Sequence, residues 1–245
     1  MLNALLWGAI ASSSLILGGF IGVRFNMSKR VLGCIMAFGA GALISAVAYE
    51  LVYESVRLAK GSGFTALGFF GGALAFYFLT KLIERFSGGS GGDDTDSGHS
   101  RLIIPMVLGI VLDGIPENAI IGIGMLESGV VSVAMLIAIF LSGMPEAIAG
   151  TTGMKAAGWK RQKIYMLWLG IAIVLTFSTV AGYSLAGNAS VFALQIINSF
   201  AGGAILVMLT NSMIPESYEY CGKLAGIFTV LGFALSVTII ILERS

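Results

Sequence analysis

Residues 102–126 read LIIPMVLGIVLDGIPENAIIGIGML, a run of apolar side chains with two acids, Asp113 and Glu117, near its middle. A segment of this length and composition is long enough to cross a bilayer as a helix, which takes about 20 residues. An ionised carboxylate at the bilayer centre costs about 2.5–3.5 kcal/mol on insertion scales. Asp113 and Glu117 stand at i and i+4, so they share one helix face, and that face should point into a protein interior. The following run, 130–153, repeats the theme with Ser142 and Glu146 at the same spacing. Residues 112–125, LDGIPENAIIGIGM, and 141–154, LSGMPEAIAGTTGM, share six of fourteen positions, Pro-Glu among them.

Working outward, apolar runs of spanning length recur at about 4–23, 31–53, 63–83, 102–126, 130–153, 163–186, 192–214 and 223–242. The expectation is an all-α membrane protein of eight transmembrane helices, one polytopic domain over 1–245. Such runs do not suit a β-barrel, whose strands are about 10 residues long with alternating polarity. The first run lacks a basic region ahead of it and a small-residue cleavage site behind it, and is expected to be a retained helix.

Composition agrees. Of 245 residues, 57% are hydrophobic and 11% charged, against about 25% charged in a soluble domain. This excludes a soluble enzyme and a disordered chain. A net charge of +1 offers no basic excess for nucleic acid. The 34 glycines, about twice the usual share of roughly 7%, fit closely packed membrane helices. Cys34 and Cys221 form neither a disulfide framework nor a ligand cluster in the sequence.

Basic residues sort by loop. Arg24, Lys29, Arg30, Lys81, Arg85, Arg101, Lys155, Lys160, Arg161, Lys163 and Lys223 fall on one side; Arg57, Lys60 and Arg244 fall on the other. Cytoplasmic loops carry the basic excess, so both termini should lie outside the cytoplasm. The one long connection, SGGSGGDDTDSGHS at 87–100, is a flexible cytoplasmic linker by composition. Its Asp93, Asp94, Asp96 and His99 would hold a cation weakly or simply form a solvated hinge.

A second internal likeness pairs AFGAGALISAVAYELVYES at 37–55 with SFAGGAILVMLTNSMIPES at 199–217, identical at five of nineteen positions. Both likenesses join spans that run in opposite directions, so a 3+2+3 arrangement related by an in-plane pseudo-twofold is expected. Inverted repeats are a recurring plan of secondary transporters, with the substrate site at mid-membrane where the repeats meet.

If the fourth and fifth spans cross at their repeated motifs, Asp113, Glu117, Ser142 and Glu146 form one polar cage, with Asn118 beside it. Pro116 and Pro145 lack an N–H, so they free the carbonyls of Leu112 and Leu141 and kink their helices. Freed carbonyls are tolerated in hydrocarbon only where they meet a cavity or a polar partner. Three carboxylates in one space require a cation or bound protons. The alternative is one protonated acid hydrogen-bonded between helices. Glu50 and Glu54, at the outer end of the second span, form either an entrance or a solvated helix end. Asn211 and Ser212, at the matching place in the seventh, line an exit or bond neighbouring helices. Glu216 and Glu219 are expected in cytoplasmic solvent, and glycine-rich segments 39–42 and 201–204 against the central pair of helices.

The chain resembles the ZIP (ZRT/IRT-like protein) family of divalent metal transporters over essentially its whole length. The fourth-span family motif His-Asn-x-Pro-Glu-Gly falls on Asp113-Gly114-Ile115-Pro116-Glu117-Asn118. The fifth-span motif His-x-x-Pro-Glu-Gly falls on Ser142-Gly143-Met144-Pro145-Glu146-Ala147. The seventh-span ending, a His-Glu pair before Pro-Glu, resembles Asn211-Ser212-Met213-Ile214-Pro215-Glu216. The resemblance implies a metal site between spans four and five bridged by Glu117 and Glu146, import toward the cytoplasm, an elevator-like movement and a homodimer. Both motif histidines are replaced, by Asp113 and Ser142, and the remaining all-oxygen set suits manganese, magnesium or calcium better than zinc, although the Irving–Williams order still favours zinc over manganese.

The resulting expectation is a secondary transporter of a divalent cation, zinc or a harder ion, in a prokaryotic plasma (inner) membrane. It is no enzyme, holds no prosthetic group and has the ion and the lipid bilayer as its partners. Asp113, Glu117, Glu146, Ser142 and Asn118 would be the ligands. The competing readings are a carrier or channel for protons or a non-metal solute, and a non-transporting scaffold or sensor.

Overall fold

The computed structural model describes residues 1–58, 63–88 and 98–244. Among them there is no strand, and eight helices are long and apolar enough to cross a membrane. They are α1 (Leu2–Arg24), α2 (Lys29–Ala46, continued to Leu58), α3 (Phe64–Gly88), α4 (Gly98–Ser128), α5 (Val133–Ala156), α6 (Arg161–Gly187), α7 (Val191–Met208, continued to Cys221) and α8 (Leu224–Arg244). The eight expected spans are all present. The linker expected over 87–100 is shortened by helix at both ends; its Asp93, Asp94 and Asp96, like Lys60, lie outside the described residues, as does the side chain of His99. The chain is a multi-pass membrane protein by the length and composition of these helices.

Three helix starts are capped by serine. Ser28, Ser132 and Ser190 each accept a hydrogen bond from the backbone N–H three residues on, opening α2, α5 and α7. The turn after α7 passes through Gly222 at φ 61°, left-handed backbone that favours glycine. Outward faces carry large apolar side chains, such as Phe70, Leu74 and Phe78 on α3, Phe177 on α6 and Val230 and Ile241 on α8. Such a surface suits hydrocarbon. The largest core centres on Met36, Leu43, Ile148, Ile205, Met208, Leu209 and Met213, where α2, α5 and α7 meet.

Two groups of helices emerge from the packing. In one, α1 lies against α5 and α6, and α4 lies against α6. In the other, α2 packs along α8 and the end of α7, while α3 packs along α7. Contact between α2 and α5 joins the groups. Several crossings are backbone to backbone: a Cβ on Gly41 would overlap the Thr229 carbonyl, and one on Gly232 would overlap that of Phe38. In segment 201–204, Gly202 faces Val47 and Val52 of α2 and Gly203 faces Phe69 of α3, while Ala201 and Ala204 belong to the core shared with Ile120, Ile121 and Met135 of α4 and α5.

Both α2 and α7 contain a π-helical turn, over Val47–Val52 and Leu209–Met213. Each inserts an extra residue into the ladder and re-aims the side chains there. By contrast α5 runs unbroken through Pro145, and α4 through Pro116.

Candidate functional site

The face of α4 that carries Asp113 and Glu117 turns inward as its spacing requires. Asp113 is half-buried, Glu117 is 5% exposed, and Glu146 of α5 is half-buried. The carboxylates of Asp113, Glu117 and Glu216 are the charges within electrostatic reach of Glu146. Yet the acids do not close into one cage. Among the described residues no three histidine, cysteine or acidic side chains are drawn together tightly enough to hold a metal ion. They are instead distributed over adjoining spaces.

One cavity of about 480 Å³ lies between α2, α4, α5 and α7 and is lined by Asp113, Glu146, Ser212 and Glu216, together with Lys29 and Tyr220. A second, about 570 Å³, lies between α3, α4 and α7 and shares Asp113 and Ser212 with the first; Asn211, Thr80 and Lys81 also line it. Both therefore belong to the end of the bundle that bears Lys29 and Lys81. Behind them, between α1, α4 and α5, is a small chamber lined by Ser12, Ser14, Glu117, Asn118 and Glu146. Glu146 borders both the wide cavity and this chamber. Glu117 lines the chamber and neither of the two larger cavities.

Asn118 is in the chamber, but its amide is engaged: Ser12 Oγ donates to Asn118 Oδ1 at 3.2 Å, and Asn118 Nδ2 donates to the Gly114 carbonyl at 3.0 Å. Ser142 is 1% exposed, donates its hydroxyl to the Ile139 carbonyl at 2.9 Å and lines neither the cavities nor the chamber. Leu112, whose carbonyl Pro116 leaves without its helical partner, does line the second cavity beside Asp113. The carbonyl of Leu141, freed by Pro145, meets the backbone of α2 instead: a Cβ on Gly39 would stand 2.7 Å from that oxygen. Close helix contact thus takes the place of the expected cavity.

At the opposite end of the bundle a small pocket of about 60 Å³ is lined by Glu50, Ser132 and Asn198, above Leu51, Ile120, Ile121 and Met135. Those four apolar residues are buried in the main core and separate the pocket from the acids. Glu50 accepts a hydrogen bond from Ser132 Oγ at 2.5 Å, and Glu243 of α8 accepts one from the Val133 N–H at 2.6 Å. Two carboxylates therefore grip the N-terminus of α5, where the helix dipole favours negative charge. Glu54 is apart from them, paired with exposed Arg57 at 2.5 Å.

The sequence reading missed three contributors. Ser12 and Ser14 sit in an α1 that reads only as a span, and nothing in its pattern sets their face apart. Glu216 was expected in solvent. Because α7 continues helical to Cys221, its half-buried carboxylate lines the wide cavity with Asp113 and Glu146. Its place one residue after Pro215, the third Pro-Glu pair of the chain, was the available signal. Compared with known proteins, the chain matches no family model and no curated sequence.

Proposed function

We propose that the protein is a secondary transporter of divalent cations, of the ZIP type its motifs resemble, with the ion handed between Asp113, Glu146 and Glu117. The observation that carries the reading is the position of Glu146, which borders both the wide cavity and the small chamber that holds Glu117. A buried carboxylate is costly unless neutralised by a cation or a proton. A path from Glu216 through Asp113 and Glu146 to Glu117 offers oxygen ligands in series, the donor type favoured by hard divalent ions.

In this reading the end with Lys29, Lys81 and Lys155 is cytoplasmic by the positive-inside rule, both termini are outside, and the membrane is a prokaryotic plasma membrane. The cavities then open inward, while Leu51, Ile120, Ile121 and Met135 close the outer side. The 3+2+3 inverted repeat draws support from packing: the contacts of α1 with α5 and of α2 with α8 have counterparts in those of α6 with α4 and of α7 with α3. The π-helical turns of α2 and α7 begin 162 residues apart, the same offset as between the similar segments 37–55 and 199–217. Alternating access would carry α1, α4, α5 and α6 against the other four helices, and a homodimer would hold the latter still.

The test is uptake into proteoliposomes of zinc, cadmium, manganese, iron, cobalt and magnesium, one at a time. The wild type should move at least one of them, and Glu117→Ala and Glu146→Ala should each abolish that flux while thermal unfolding stays cooperative. Flux unchanged in the double variant, or absent for every ion in the wild type, would overturn the reading.

A further inference from the structure

Cys34 and Cys221 are 187 residues apart in the sequence, yet the fold brings them together where the first turns of α2 meet the end of α7 and the start of α8. Both are free thiols, and Cys34 packs against the small buried cluster that contains Cys221. The approach is set by Gly33: a Cβ there would stand 2.6 Å from Tyr220 Cβ and 3.1 Å from the Cys221 backbone nitrogen. The pair is backed by the apolar side chains of Ala37, Leu224, Ala225 and Phe228. Cys221 is 8% exposed, whereas Cys34 is half-buried and reachable. Arg30 stands on α2 one turn before Cys34.

We propose that Cys34 and Cys221 form a reversible intramolecular disulfide in exchange with a low-molecular-weight disulfide such as oxidised glutathione. The difference in exposure assigns the roles. Cys34, as thiolate, attacks one sulfur of the reagent, releases one glutathione thiolate and gives its own proton to solvent. Cys221 then loses its proton, attacks the Cys34 sulfur of the mixed disulfide and releases the second glutathione. The two protein thiols are oxidised and one reagent disulfide is reduced to two thiols, so the exchange balances without another electron carrier. The Arg30 guanidinium attracts the anionic reagent to the more exposed member of the pair.

The bond would tie α2 to α7 directly behind a cavity wall. Leu32 and Met36, on either side of Cys34, and Glu216 and Tyr220, just before Cys221, line the wide cavity. A cross-link there fixes the separation of the two helices that form this wall. This holds whatever the cavity admits, so its fate is independent of the transport reading.

The experiment is to incubate the detergent-solubilised full chain with oxidised glutathione or with diamide, quench with acid, denature, and count free thiols by maleimide labelling and intact mass. The wild type should go from two labels to none, lose the mass of two hydrogens, carry no glutathione and run as a monomer on a non-reducing gel. Dithiothreitol should restore both labels. Cys221→Ser should stop at a glutathione adduct on Cys34, while Cys34→Ser should keep its buried thiol free. Two free thiols after both reagents, a lasting glutathione adduct on the wild type, or cross-linking between chains would each overturn the proposal.

Discussion

Asn118 shows how spacing gives a side chain's place without giving its bonding partners. Its spacing puts it beside the acids, and it is there, but its amide links α1 to α4 through Ser12 and returns to Gly114 of its own helix. Interhelical hydrogen bonds in membrane proteins contribute about 0.6 kcal/mol on average and up to about 1.7. Asn118→Ala and Ser12→Ala should each lower the unfolding free energy in detergent by an amount of about that size, and the double variant should cost less than the sum of the two. Additive losses would mean that the two side chains act independently. The acids themselves were legible for a simple reason. In a chain with 13 acids, Asp113, Glu117 and Glu146 are conspicuous inside apolar runs, because burial there needs a compensating cause. Ser142 was misplaced because a one-turn spacing fixes a helix face without fixing which neighbour that face meets; α2 arrives there at Gly39.

At the scale of elements, the eight spans were legible from hydrophobic length alone, since a bilayer imposes it. The π-helical turns were not, because they depend on how α2 and α7 are packed and leave no compositional mark. The length of α7 was also hidden: Pro215 reads as a stop, but it sits in the first turn of the segment after the π-helical turn, where its missing N–H does little harm. The clamp on α5 gives an element-level prediction. Ser132 both caps α5 and donates to Glu50. Losing a serine cap costs about 1 kcal/mol, so Ser132→Ala should speed hydrogen exchange of the amides at 133–135 by roughly fivefold. Unchanged exchange would show that Glu243 alone secures this helix start.

For the whole molecule, the account depends on which end faces the cytoplasm and on where an ion rests. Orientation is checked by labelling from outside intact cells with a membrane-impermeant maleimide, in a Cys34→Ser, Cys221→Ser background. A cysteine placed by Ala189→Cys, between α6 and α7, should label at once, whereas Lys160→Cys, between α5 and α6, should label only after permeabilisation. The reverse pattern would invert the direction assigned to the cavities. Helix packing and cavities of this kind were beyond the sequence, because contacts such as α1 with α5 and α3 with α7 join segments over a hundred residues apart. The central claim, that the membrane acids receive a divalent ion, is tested most directly by anomalous scattering from crystals soaked in manganese or zinc. The account predicts a peak within coordination distance of Glu146 and of Asp113 or Glu117. A chain that binds neither ion there, with strong peaks only at surface acids such as Glu54 or Glu219, would contradict it.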